Sequence, residues 1–284
     1  MTNYGDKSRK DGMKYEDTVC DALNSILSGS GNTFDGVDDK KKCLDIFGGK
    51  TTTKADLFDS NGCGISVKNP KASSTSIQMF IASKDKLVKA LDMVSPMPQE
   101  AVEYLNLFLG ETSKESHALL CESKGISYSS LDDDQEKRRM RCFHSSIPRN
   151  IQEEFERYMN QDAVKSRLFD LVFSQGFCSQ KENHASTMLW CDSSVEGKGS
   201  LNHMVLFDID KVKQKTVANN FVVRSSNTVW QLGPITLQMK GSGAKTSSGY
   251  HSPQFNASLN DILKCLSENE YTKGSIATIS QQLN

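Results

Sequence analysis

Apolar residues recur at every fourth position near the start of the chain. Tyr15, Val19, Leu23 and Leu27 form one stripe across residues 12–28, which predicts an amphipathic helix. The run SGSGN at 28–32 stops it. A short apolar run, KCLDIF, follows at 42–47, and then KADLF and GISVK predict two strands joined by the turn DSNGCG. Ile77, Phe80, Ile81, Leu87 and Leu91 predict a helix from about Ser76. Ala101, Tyr104, Leu105 and Phe108 predict another after Pro98. Pro148 opens a long helix carrying Ile151, Phe155, Met159, Val164, Leu168 and Val172. Beyond about residue 185 the texture turns β-like, in STMLWC, NHMVLFDI, NNFVVRS, NTVWQL and ITLQMK, and one more helix falls near 259–266. The order predicts an α/β (α+β) domain with a central sheet. A single domain over 1–284 is expected, with a β-rich part at about 185–266.

Composition narrows the picture. The 284 residues carry a formal net charge of −1, so a nucleic-acid surface has to be local rather than a property of the whole chain. No apolar run reaches membrane-spanning length, and MTNYGDKSRKDG lacks the apolar core of a secretory signal, so a cytoplasmic protein without a membrane partner is expected. Eight cysteines without a CxxC read as reduced, buried thiols. Cys178, His184, Cys191 and His203 match no common zinc spacing. Residues 126–148 hold an acidic run followed by a basic one, read as a mobile insertion or docking segment.

The chemistry concentrates in KADLFDSNGCGISVK. Residues two apart on a strand share a face, so Ser66 and Lys68 point together while Ile65 and Val67 face the core. The short hairpin brings Asp56 beside them. Phosphodiester hydrolysis needs a divalent cation held by oxygen ligands. Asp56 is suited to be such a ligand, and Lys68 to orient or deprotonate the attacking water or to support phosphate charge.

This stretch resembles the core of the PD-(D/E)xK nucleases, and specifically a type II restriction endonuclease. Asp56 matches the first acid and Lys68 the lysine. Ser66 stands where a second acid is usual, as in a Ser-x-Lys variant. The resemblance implies a restriction-endonuclease-like mixed central β-sheet flanked by helices, with the catalytic core at about 12–95. It implies Mg2+ as cofactor, with Mn2+ able to substitute, held by Asp56, by Glu16 from the early helix and by the main-chain carbonyl near Val67. It also implies that Gln78, at the start of the next helix, reaches the scissile phosphate or a metal-bound water. The partner is double-stranded DNA cut at a short specific sequence, leaving 5′-phosphate and 3′-hydroxyl ends. A homodimer matches a palindromic site, and a cognate DNA methyltransferase is expected in the same system.

A weaker echo lies at 229–256, where a strand runs into a loop rich in Gly, Ser and Lys. Gln238, Lys240, Lys245 and Tyr250 are candidate DNA contacts there, with Lys71 and Ser73 in NPKASSTS. Arg138, Arg139 and Arg141 either contact DNA or pair with Asp132, Asp133 and Asp134. His144 and His251 fall in loops that would face DNA, whereas Trp190 and Trp230 read as core. A lone D…SxK pattern arises by chance in many proteins, and it is the surrounding order that supports the nuclease reading. Two alternatives stay open: a repair, recombination or phage nuclease that reads DNA structure, and a DNA-binding module that has lost its metal.

Overall fold

The computed structural model describes residues 4–37, 42–70, 76–110, 114–126, 141–196, 199–226, 228–239 and 252–284. The first half of the chain runs α1 (Tyr4–Ile26), β1 (Phe34–Gly36), β2 (Lys42–Leu44), β3 (Lys50–Thr52), β4 (Leu57–Asp59), β5 (Gly64–Lys68), β6 (Ile77–Ile81), α2 (Lys84–Asp92), α3 (Gln99–Leu109) and α4 (Lys114–Ser123). It continues through α5 (Arg149–Met159), α6 (Asp162–Phe173), β7 (Ala185–Cys191), α7 (Ser193–Glu196), β8 (Met204–Asp208), α8 (Ile209–Val217), β9 (Val222–Val223), β10 (Trp230–Leu232), β11 (Ile235–Met239) and β12 (Pro253–Ala257). The last elements are α9 (Leu259–Cys265), β13 (Tyr271–Gly274) and α10 (Ile276–Leu283). The protein is a mixed α/β chain of the α+β kind, and a mixed six-stranded sheet is the largest of its sheets among the described residues.

The chain divides into two compact units. The first comprises Met1–Ile77, Asp170–Lys215 and Ser258–Asn284, and the second comprises Gln78–Phe169 and Thr216–Ala257. The first unit holds the six-stranded sheet, in the order β1-β4-β5-β7-β8-β13. The pairs β1–β4, β4–β5, β7–β8 and β8–β13 are antiparallel, and β5–β7 alone is parallel. A parallel pair needs a long crossover, and here more than a hundred residues separate the two strands. The predicted helical stripe covers this sheet. Tyr15, Val19, Leu23 and Leu27 pack with Leu57, Ile65, Val67, Leu189, Leu206, Ile276 and Ile279 in one buried cluster. α1 also begins earlier than the stripe predicts, at Tyr4.

The second unit holds the five-stranded sheet β6-β12-β11-β10-β9. Its core is aromatic. Tyr104 stacks on Phe155 with centroids 4.0 Å apart and accepts a hydrogen bond from Trp230 Nε1 at 3.2 Å. Trp190 and Trp230 are both 1% exposed, so each is a core residue as the sequence predicts.

Three expectations need correction. The helix predicted from Ser76 is the strand β6, and the helix starts only at Lys84. Ile77, Phe80 and Ile81 satisfy a helical spacing, but they are also good strand formers, and β6 finds a partner edge in β12. Ser83 marks the true start, its side chain accepting from the Lys86 N–H. The long helix after Pro148 is two helices. Asn160 interrupts it, donating to the Glu156 carbonyl and accepting from the Phe221 N–H at 2.8 Å. The cysteines are not all free thiols, since Cys43 and Cys178 pair as a disulfide with Cα atoms 5.8 Å apart. Beyond these, β1, β3, α4, α7, α8, β12, β13 and α10 were not predicted, and α8 is a helix inside the stretch read as β-like. Among the described residues no helix is long and apolar enough to cross a membrane.

Candidate active site

The site lies in the first unit, where the lead-in to β4 meets β5. Asp56 precedes β4 and is held by main-chain bonds on both sides. Its N–H donates to the Ile65 carbonyl at 2.8 Å and its carbonyl accepts from Val37 at 3.0 Å. The hairpin that brings β5 back is fixed by Asp59, whose Oδ1 accepts from the N–H groups of Asn61 and Cys63. Gly62 takes the left-handed conformation there, with φ 80°.

This frame brings the predicted residues together. The Val67 N–H, the Ser66 hydroxyl and the Lys68 ammonium all donate to Asp56 Oδ2, at 2.7, 3.1 and 3.3 Å. Lys68 Nζ also donates to the Val67 carbonyl at 3.1 Å. The carboxylate is therefore fixed by the strand that carries the lysine, and none of these three bonds goes to its Oδ1. Ser66 is 1% exposed, while Asp56 and Lys68 keep about a fifth of their side-chain surface open. Ile65 and Val67 are buried, as the alternation predicts.

Glu16 sits half-buried in α1, one residue from Tyr15. The Tyr15 hydroxyl donates to the Ser200 carbonyl, and the neighbouring Gly199 N–H donates to Asn69 Oδ1, just past Lys68. The 199–200 turn thus ties the Glu16 turn of α1 to the end of β5. Gln78 is exposed in β6, a strand of the second unit, and so does not begin a helix as expected.

Sequence reasoning missed Lys54. Its stem packs against Gly176, where an added Cβ would lie 3.5 Å from Lys54 Cε. The residue as a whole is half-buried, and burial lowers its pKa to about 7, helped by the charge of Lys68 and opposed by Asp56. Lys54 lies two residues before Asp56, but that spacing does not show that its ammonium will be enclosed.

Lys54 yields a stability prediction. The unfolded chain holds this proton up to its ordinary 10.5 and the folded protein only to about 7. Between those values the unfolded state binds more protons, so stability rises with pH, and the cost of burying the ammonium is complete below about 7. Lys54→Met removes that cost. In EDTA at pH 6 the variant should melt roughly 2 °C above the wild type, about 1 kcal/mol after allowing for partial exposure. The gap should close as the pH approaches 10. Thermal melts followed by circular dichroism at both pH values check this.

The other candidates make contacts of their own or lie outside the described residues. Arg141 donates to the Thr228 carbonyl at 2.8 Å and lies over the Phe108 ring, within the second unit. His144 does not face outward as expected. Its Nδ1 meets the Tyr104 hydroxyl at 2.8 Å, its Nε2 lies 3.4 Å from Glu156, and burial lowers its pKa against the pull of Glu156. Gln238 is half-buried in β11, paired in register with Gln254. His184 Nε2 lies 3.0 Å from the Cys178 carbonyl. Lys71, Ser73, Arg138, Arg139, Lys240, Lys245, Tyr250 and His251 lie outside the described residues, as do Asp132, Asp133 and Asp134.

In comparisons with known proteins, no family model and no curated protein matches the chain, so its chemistry is read from its own geometry.

Proposed function

We propose that the first unit carries a magnesium-dependent phosphodiester hydrolase that cuts double-stranded DNA at a short specific sequence. One observation carries this reading: the Asp56 carboxylate and the Lys68 ammonium approach to 3.3 Å from neighbouring extended segments, and the ammonium also meets the Val67 carbonyl. The resemblance to type II restriction endonucleases rests on these residues, and a mixed sheet with helices is the kind of core it implies.

The donor set suits a hard cation. Asp56 Oδ1 and the Val67 carbonyl are oxygen ligands, and magnesium commonly takes one or two carboxylates and fills the rest with water and substrate phosphate. Against it stand two lysines facing one carboxylate, which calls for a second acid, and Glu16 is the residue we assign to that role. When bound, the metal would supply a water activated for attack and neutralise charge on the phosphate.

The chain's own residues do the rest. The Val67 N–H and the Ser66 hydroxyl hold the Asp56 carboxylate in one orientation. Ser66 acts here as a positioning group rather than a ligand, because its hydroxyl donates to Asp56. Lys68, fixed between Asp56 and the Val67 carbonyl, orients the attacking water and balances charge growing on the phosphate. Gln238, Lys240, Lys245 and Tyr250 are proposed to contact DNA. A cytoplasmic homodimer acting beside a cognate methyltransferase completes the proposal.

Digestion of a long plasmid of known sequence tests the function. The expected result is a small set of discrete fragments with 5′-phosphate ends, in Mg2+ or Mn2+ and not in EDTA. Metal-dependent cutting without discrete fragments would instead mean a nuclease that reads DNA structure. Retardation of DNA without cutting in any metal would mean a binding module.

A further inference from the structure

The second unit contains a group of side chains that the nuclease reading does not use. His117 and Cys121 are one turn apart on α4, so they lie on the same helix face. Cys142 joins them from the segment that returns after residue 140. Its N–H donates to the Leu107 carbonyl of α3 at 2.7 Å, which fixes where its side chain starts. Cys121 Sγ lies 3.4 Å from His117 Nε2 and 3.5 Å from Cys142 Sγ. The three ligand atoms lie within 4.8 Å of one another. All three residues are buried, at 0% exposure for His117 and Cys121 and 7% for Cys142.

These separations are those of a coordination polyhedron. Tetrahedral zinc has Zn–S bonds of about 2.3 Å and Zn–N bonds of about 2.0–2.1 Å, which puts adjacent sulfurs about 3.8 Å apart and sulfur and nitrogen about 3.5 Å apart. The two edges at Cys121, 3.4 and 3.5 Å, agree to within about 0.3 Å, and the third atom pair lies within 4.8 Å. Thiols buried only for packing satisfy themselves against apolar neighbours. Here two sulfurs and an imidazole nitrogen cluster together instead.

We propose that His117, Cys121 and Cys142 form a metal site for a soft dication, zinc above all. Two sulfurs and one imidazole, with no carboxylate in the set, select zinc over magnesium or calcium. The site is thus chemically separate from the hard-oxygen group at Asp56. Three protein ligands leave the fourth position to a solvent-derived ligand. The metal would clip α4 to the segment that enters at Cys142. Histidine four residues before one cysteine, with a second cysteine twenty-one residues on, has none of the usual CxxC punctuation.

The test uses the full chain carrying Cys63→Ser, which removes an exposed competing thiol. Elemental analysis of this protein, purified without chelator, should find about one zinc per chain. Exchange with cobalt(II) should give sulfur-to-cobalt charge-transfer absorption with visible bands of tetrahedral intensity. Cys121→Ser or Cys142→Ser should each remove about half of the charge-transfer intensity, and the double variant all of it. Zinc X-ray absorption on the Cys63→Ser protein requires no change at the site, so it decides even if the serine variants fail to fold. Two sulfur ligands and at least one imidazole nitrogen support the site. Absence of bound metal and of charge transfer in folded protein overturns it, as does an unchanged spectrum in the double variant. DNA cleavage enters none of these readouts, so the outcome is independent of the nuclease proposal.

Discussion

Replacing Lys68 with alanine should slow magnesium-dependent plasmid nicking by about 10²–10⁴-fold, the range for losing a group that handles a proton or developing charge. The ammonium bridges Asp56 Oδ2 and the Val67 carbonyl, so its position is set by the two groups assigned to the metal. The fold should tolerate the change. The ion pair is partly exposed, and its loss costs within about 1 kcal/mol. Lys68→Arg should not restore the wild-type rate, because a planar guanidinium does not reproduce a compact ammonium held between two oxygens. Nicking rates and melting temperatures measured on the same preparations separate catalysis from stability. A full rate in Lys68→Ala would remove the lysine from the mechanism.

The second large effect is structural. Gly64 opens β5, and a Cβ built there would lie 2.2 Å from the His184 carbonyl oxygen and 2.8 Å from Ala55 Cβ. The first obstacle is backbone and cannot rotate away. Gly64→Ala must therefore push β5 from the segment entering β7, at the point where the register already shifts between Gly64 and Ile65. The expected cost is about 3 kcal/mol, the upper end for an overpacked site. For a chain of this size that lowers the melting temperature by roughly 6–10 °C. Because Ser66 and Lys68 ride on the same strand, cleavage below the melting transition should fall as well. Wild-type melting by calorimetry would mean that the two segments are not so close.

How much of this was legible in the sequence differs by element. The α1 stripe and the Ile65/Val67 alternation are local patterns with one buried face, and both appear as read. The meeting of Asp56, Ser66 and Lys68 was also legible, because the four-residue connection from Asp59 to Gly64 leaves a hairpin few alternatives. β6 was misread because Ile77, Phe80 and Ile81 fit two periods, and only pairing with β12, some 170 residues on, chooses between them. The break at Asn160 depends on Phe221, which is also far away in sequence. Lys54 was passed over because nothing local announces that its ammonium will be enclosed. The His117, Cys121 and Cys142 group was invisible for the same reason, since its third member arrives from beyond α4.

The most direct measurement is single-turnover nicking of supercoiled plasmid by the wild type and by Asp56→Asn, each in Mg2+, in Ca2+ and in EDTA. Asparagine keeps the shape of the side chain and removes the charge that would hold the cation. The account predicts nicking by the wild type in Mg2+, none in EDTA, and a loss of at least about 10²-fold in Asp56→Asn with its circular dichroism spectrum unchanged. Equal magnesium-dependent nicking by both proteins, or nicking by the wild type that persists in EDTA, would contradict it.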